Sequence, residues 1–134
     1  MSAQESFQFR NYVLKRMGDV GIQTQAELAS KVGLRPPTLN RLIRGKVKDP
    51  ELPTFVLLAE ALEEPLWRVL EEAGYVIERP TDPTESDRQL ARQIEAAPEL
   101  RPIVDDLFAL DADDRAAVVA FLQALRRRRG SAGS

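Results

Sequence analysis

The chain has 134 residues, 43% of them apolar and 30% charged, with a formal net charge of −2. It contains no Cys and no His, which excludes disulfides, a thiol nucleophile, an imidazole base and the usual zinc sites. No apolar run approaches the ~18–20 residues that a membrane span needs, and Met1 to Phe9 lacks a signal-peptide pattern, so a cytoplasmic location with no membrane partner is expected.

In chain order, the apolar spacing predicts helices almost throughout. Phe9, Tyr12, Val13, Met17 and Val20 recur at three- and four-residue steps and place a first helix over 7–17, ended by Gly18 and Gly21. Thr24 with Glu27 has capping-box spacing and opens a second helix over 25–31, with Leu28, Ala29 and Val32 on one face. Gly33 stops it where the chain must turn sharply. Pro36 and Pro37 are tolerated in the first turn of a third helix over 36–44, whose buried face is Leu39, Leu42 and Ile43. A fourth helix over 53–62 carries Phe55, Leu58, Ala59 and Leu62. A fifth starts at Glu63-Glu64-Pro65 and packs Leu66, Trp67, Val69, Leu70 and Ala73 inward up to Gly74, with Trp67 read as core.

The run TQAELASKVGLRPPTLNRLIRG over residues 24–45 resembles the helix-turn-helix of the Cro/C1-type (XRE) transcriptional regulators. The segments Asp49–Leu62 and Pro65–Tyr75 resemble that family's fourth and fifth helices, so the likeness covers residues 6–75. It implies an all-α protein with a five-helix lambda-repressor-like DNA-binding domain at 1–75. The family often pairs an arginine late in helix one with an acid near the end of the third helix. Here that acid position is Ile43, and the arginine has no clear counterpart, so an apolar contact is expected to replace the pair.

Charge agrees with a nucleic-acid partner in its distribution rather than its sum. Residues 35–48 hold Arg35, Arg41, Arg44, Lys46 and Lys48 with no acid, while 49–75 hold seven acids against Arg68 alone. A helix fits the major groove of double-stranded DNA with its N-terminal residues at the base edges. On that geometry, and by position in the family, Arg35, Pro37, Thr38 and Arg41 are expected to read bases. Arg35 stands where the family often has a capping Ser or Thr. Gln25 resembles the family's phosphate-anchoring glutamine, and Asn40, Arg44, Lys46 and Lys48 are expected at phosphates.

Residues 76–85, with two prolines and little periodicity, read as a linker. Ser86 with Gln89 reads as another capping box, opening a helix over 87–96. Pro98 interrupts, a second helix runs from Ile103 to Leu110, and Asp111 caps a third over 112–128. Three short helices over 86–129 bury little surface by themselves. Their apolar residues Ile103, Leu107, Phe108, Val118, Phe121, Leu122 and Leu125 are therefore expected to form a homodimer through a helical bundle. Arg126–Arg129 read as a solvated helix end complementing the helix dipole, with a second phosphate contact or a cleavage site as the sharper alternatives. Residues 130–134 read as a disordered tail.

The resulting expectation is a dimeric repressor reading an inverted-repeat operator with the helix at 36–44, needing no cofactor and no metal. The alternative is an antitoxin or adaptor-like regulator whose C-terminal helices bind a protein partner, and a regulatory protease acting on those helices is a further variant. An enzyme is not expected. Every lysine precedes residue 76, so the Ser-Lys self-cleaving module of some repressors cannot be built, and the aspartates at 105, 106, 111, 113 and 114 read as caps and exposed faces.

Overall fold

A computed structural model describes residues 3–47 and 50–133. Among the described residues the backbone forms eight α-helices, one 3₁₀ segment and no strand. They divide into two compact units, Met1–Gly74 and Tyr75–Ser134. No helix among them is long and apolar enough to cross a membrane.

The first unit contains α1 (Ala3–Val20), α2 (Gln25–Val32), α3 (Pro36–Ile43), α4 (Leu52–Ala61) and α5 (Leu66–Glu72). Helix α1 continues past Met17, where the sequence placed its end. A single interior glycine weakens a helix without breaking it. The stop comes at Gly21, with φ +82°, where the Ile22 amide donates to the Met17 carbonyl at 2.8 Å. That six-to-one bond satisfies a carbonyl the helix would otherwise leave open. The same closure ends α2, where the Leu34 amide donates to the Ala29 carbonyl at 2.9 Å and Gly33 adopts φ +80°. It also ends α3, where the Lys46 amide donates to the Arg41 carbonyl at 2.9 Å.

One apolar core joins these helices. Phe9 and Val13 of α1, Leu28 of α2, Leu39 and Ile43 of α3, Phe55 and Leu58 of α4 and Val69 and Leu70 of α5 are all buried. Phe9 and Phe55 meet with ring centroids 6.4 Å apart, within the range where tilted aromatic pairs attract. At the edge, the Arg16 guanidinium pairs with Glu64 at 2.8 Å and donates to the Leu62 carbonyl at 3.0 Å. Arg16 is thus the late helix-one arginine that sequence left unplaced. Its acid follows α4 and not α3, and Ile43 is fully buried instead. Nearby, Arg68 lies over the Tyr12 ring at 5.9 Å. Burial, with the Glu64 carboxylate adding to it, pushes the Tyr12 hydroxyl up to about 12. Trp67 is only half-buried.

The second unit contains α6 (Pro83–Glu95), a 3₁₀ segment (Pro98–Ile103), α7 (Val104–Phe108) and α8 (Ala112–Gly133). Two boundaries differ from the sequence reading. Helix α6 starts at Pro83, inside the expected linker, because Asp82 is the cap: its carboxylate accepts from the Thr84 amide at 3.0 Å. Proline then suits the first helical position. The Thr84 hydroxyl and amide bonds hold the Asp82 carboxyl below its ordinary value. Ser86, expected as the cap, is fully buried within the helix. At the other end α8 runs through Gly133, beyond the point where a disordered tail was expected. No proline interrupts residues 112–133, so nothing covalent ends the helix there. Arg126–Arg129 therefore lie before its last turn, and the dipole reading loses its basis because that effect fades within one turn. Arg126 instead donates to the Gln93 side-chain oxygen at 2.8 Å.

The expected helix from Ile103 to Leu110 is shorter, Val104–Phe108, and a 3₁₀ segment precedes it. Pro98 and Pro102 favour a 3₁₀ stretch, since proline offers no amide to an α-helical ladder. Asp111 does cap α8, accepting from the Asp114 amide at 2.7 Å. Arg115, one turn later, ties the unit together. Its guanidinium donates to the buried Ser86 hydroxyl at 3.2 Å, pairs with Asp87 at 3.0 Å and donates to the Leu110 carbonyl. Tyr75 packs on Phe121 with ring centroids 5.2 Å apart, and burial raises its hydroxyl pKa. The apolar residues expected at a dimer contact separate into two groups. Leu107, Val118, Phe121, Leu122 and Leu125 are buried within this single chain, whereas Ile103 is half-buried and Phe108 is exposed.

Two substitutions test this account. A Cβ at Gly33 would meet nothing within 4 Å, so only the positive φ opposes it. Gly33→Ala should cost about 1–2 kcal/mol in urea unfolding, and an unchanged midpoint would contradict the left-handed turn. Arg115→Met should cost about 1–3 kcal/mol by removing the donor to the Leu110 carbonyl and the ion pair with Asp87. The same melts check that value.

Candidate nucleic-acid interface

The α2–α3 pair is built from local rules. At the start of α2 the Thr24 hydroxyl accepts from the Glu27 amide at 3.1 Å. The Glu27 carboxylate accepts from the Gln23 amide, also at 3.1 Å. The reciprocal bond therefore reaches one residue further back than the simplest capping box would. Helix α3 opens with Pro36 and Pro37 in its unsatisfied first turn. Its Leu39 and Ile43 are fully buried and Leu42 nearly so. At 100° per residue, that face leaves Pro37, Thr38, Arg41 and Arg44 on the other side, and all four are exposed.

Each residue expected at DNA can be placed except Lys48, which lies outside the described residues. Arg35 is the exposed cap residue of α3, with extended backbone at φ −75° and no side-chain capping bond. Its guanidinium is thus not engaged in holding the helix start. Arg44 sits at the end of α3 and Lys46 just after it, both exposed. Gln25 and Asn40 differ from the rest. Both are half-buried, and the Asn40 Nδ2 donates to the Gln25 Oε1 at 3.1 Å.

Ion pairing separates these cations from six arginines elsewhere in the chain. Arg16, Arg68, Arg79, Arg88, Arg92 and Arg115 each pair with a carboxylate. Arg35, Arg41, Arg44 and Lys46 are exposed and pair with no described residue. A group of cations without internal partners along one helix and its flanks is what a polyanion needs. Two features lay beyond sequence reasoning: the Arg16–Glu64 pair and the Gln25–Asn40 bond. Each joins positions far apart in the chain, and no local spacing announces either. Among the described residues no cluster of three His, Cys, Asp or Glu side chains could hold a metal ion.

Comparison with known proteins adds one finding: residues 24–66 match the family model described as a helix-turn-helix. No curated protein and no solved structure matches the chain. The matched segment spans α2, the turn, α3, α4 and the entry to α5, and so contains the exposed cations and the buried face that presents them. Residues 24–66 thus match a helix-turn-helix of the Cro/C1 (XRE) type, a family of DNA-binding transcription regulators.

Proposed function

We propose that the protein is a dimeric repressor that inserts α3 into the major groove of an inverted-repeat operator. The observation that carries this reading is the set of exposed cations from Arg35 to Lys46, paired with no described residue, on the face opposite Leu39, Leu42 and Ile43. Arg35 and Arg41 suit guanine O6 and N7, which accept two hydrogen bonds from one guanidinium, while Pro37 and Thr38 carbons suit thymine methyls. Arg44 and Lys46, with Lys48 beyond them in sequence, would hold phosphates and set register.

The second copy would be recruited through the second unit. Since five of the seven apolar residues expected at that contact are buried within the chain, the interface falls to Phe108, 37% exposed, with the half-buried Ile103 beside the same α7 helix. Two heads one helical turn apart on DNA, roughly 34 Å, would read an inverted repeat.

Binding to the protein's own upstream DNA and to a scrambled duplex, measured across a salt series, tests the reading. Arg41→Ala should relax discrimination at one base position by about 1–3 kcal/mol. Arg44→Ala should weaken both duplexes alike and reduce the salt slope by about one. If Arg41→Ala weakens both equally, the residue holds backbone and reads no base. Light scattering tests the dimer separately. The unaltered protein should have twice the mass of one chain, and Phe108→Glu should return it to one. A monomeric unaltered protein would favour a heteromeric partner at the C-terminal unit.

A further inference from the structure

We propose that Asn40 is a positioning residue that turns the Gln25 side chain so that its amide nitrogen faces an incoming phosphate. The inference rests on the DNA-binding reading and reassigns Asn40 within it, from a backbone contact to a support for one. A glutamine amide has two chemically opposite ends: Oε1 only accepts hydrogen bonds and Nε2 only donates them. A phosphate oxygen accepts, so only one orientation of Gln25 is productive.

Left alone at the first position of α2, the amide rotates between both orientations, and one of them sets its oxygen lone pairs against the anion. In the structure Asn40 presents its Nδ2 to Gln25 Oε1 at 3.1 Å, which favours the productive orientation. It captures the acceptor end and leaves Nε2 with both its hydrogens for a ligand. Gln25 opens α2, where the helix dipole and the first free amides already favour an anion. Thr24 caps the Glu27 amide one turn in, so the capping bond does not compete for Gln25.

The register of α3 makes the bond possible. Asn40 follows Leu39 and precedes Arg41, placing it between the buried and the exposed faces. From there its side chain reaches across to α2 rather than outward. Its donor group is already engaged and it is half-buried, both of which suit a support better than a direct contact.

A double-mutant cycle reads this directly. Affinity for the upstream duplex and for a scrambled one is measured for the unaltered protein, Asn40→Ala, Gln25→Ala and the double variant. Asn40→Ala should weaken both duplexes about three- to tenfold, the range one hydrogen bond spans. The salt slope should not change, because no cation is lost. In the Gln25→Ala background the same change should do almost nothing. Effects that add in full would overturn the proposal, since a direct contact or a damaged α3 would persist without Gln25. Loss of discrimination between the duplexes would also overturn it, because it would make Asn40 a base reader. If the unaltered protein binds neither duplex at low salt, the DNA-binding reading fails before this one is reached.

Discussion

Burial of one face of α3 is the constraint from which the rest of the helix-turn-helix follows. An eight-residue helix has almost no stability of its own in water, because nucleation costs more than so few bonds return. Leu39, Leu42 and Ile43 supply the difference, each contributing about 1.5–3 kcal/mol when taken out of water. Once those three are down, the 100° step per residue leaves Pro37, Thr38, Arg41 and Arg44 no place except the surface. The chemistry of the exposed face is thus a consequence of the chemistry of the buried one. Gly33 and Gly45 mark the two ends of this arrangement, both with positive φ, and let the chain leave α2 and α3 without extra residues.

Electrostatics then distinguishes structural from available charge. Arg16 and Arg115 are held by several partners each, and their guanidinium groups close backbone carbonyls at the ends of other elements. Such groups have little left to offer a ligand. Arg35, Arg41, Arg44 and Lys46 pair with no acid among the described residues, so their charge is available toward solvent and toward DNA. The overall charge of −2 conceals this, because it sums both kinds with the acids of α4 and α5.

The second unit solves a different problem. Its sequence is apolar enough to suggest that it must borrow surface from a partner, yet α8 buries every residue from Ala116 to Leu122 within the chain. Part of the reason is Tyr75 and the segment after it, expected as a linker over 76–85. Tyr75 lies on Phe121, Arg79 pairs with Asp113 at 3.3 Å, and Asp82 caps α6. Tyr75 covers part of the α8 face, Arg79 and Asp82 tie the segment down from the surface, and Val76 and Phe108 are the large apolar side chains left exposed in this unit.

What the sequence determined was most of what depends on neighbours within about four residues. The Thr24 and Asp111 caps, the Gly33 turn, the prolines opening α3 and the buried stripe of that helix are all local, and local spacing is sufficient to specify them. The exposure of Arg35, Pro37, Thr38 and Arg41 was legible for the same reason. Where two local signals competed, the sequence misled: Asp82-Pro83 and Ser86-Gln89 both announce a helix start, and only packing of Ser86 against Arg115 decides between them. Tertiary structure alone decided the pairings of Arg16 with Glu64, Arg115 with Ser86, Arg126 with Gln93 and Asn40 with Gln25, whose members lie 15 to 48 residues apart. Long side chains find such partners by the meeting of helices, and no periodicity along the chain encodes which ends will meet.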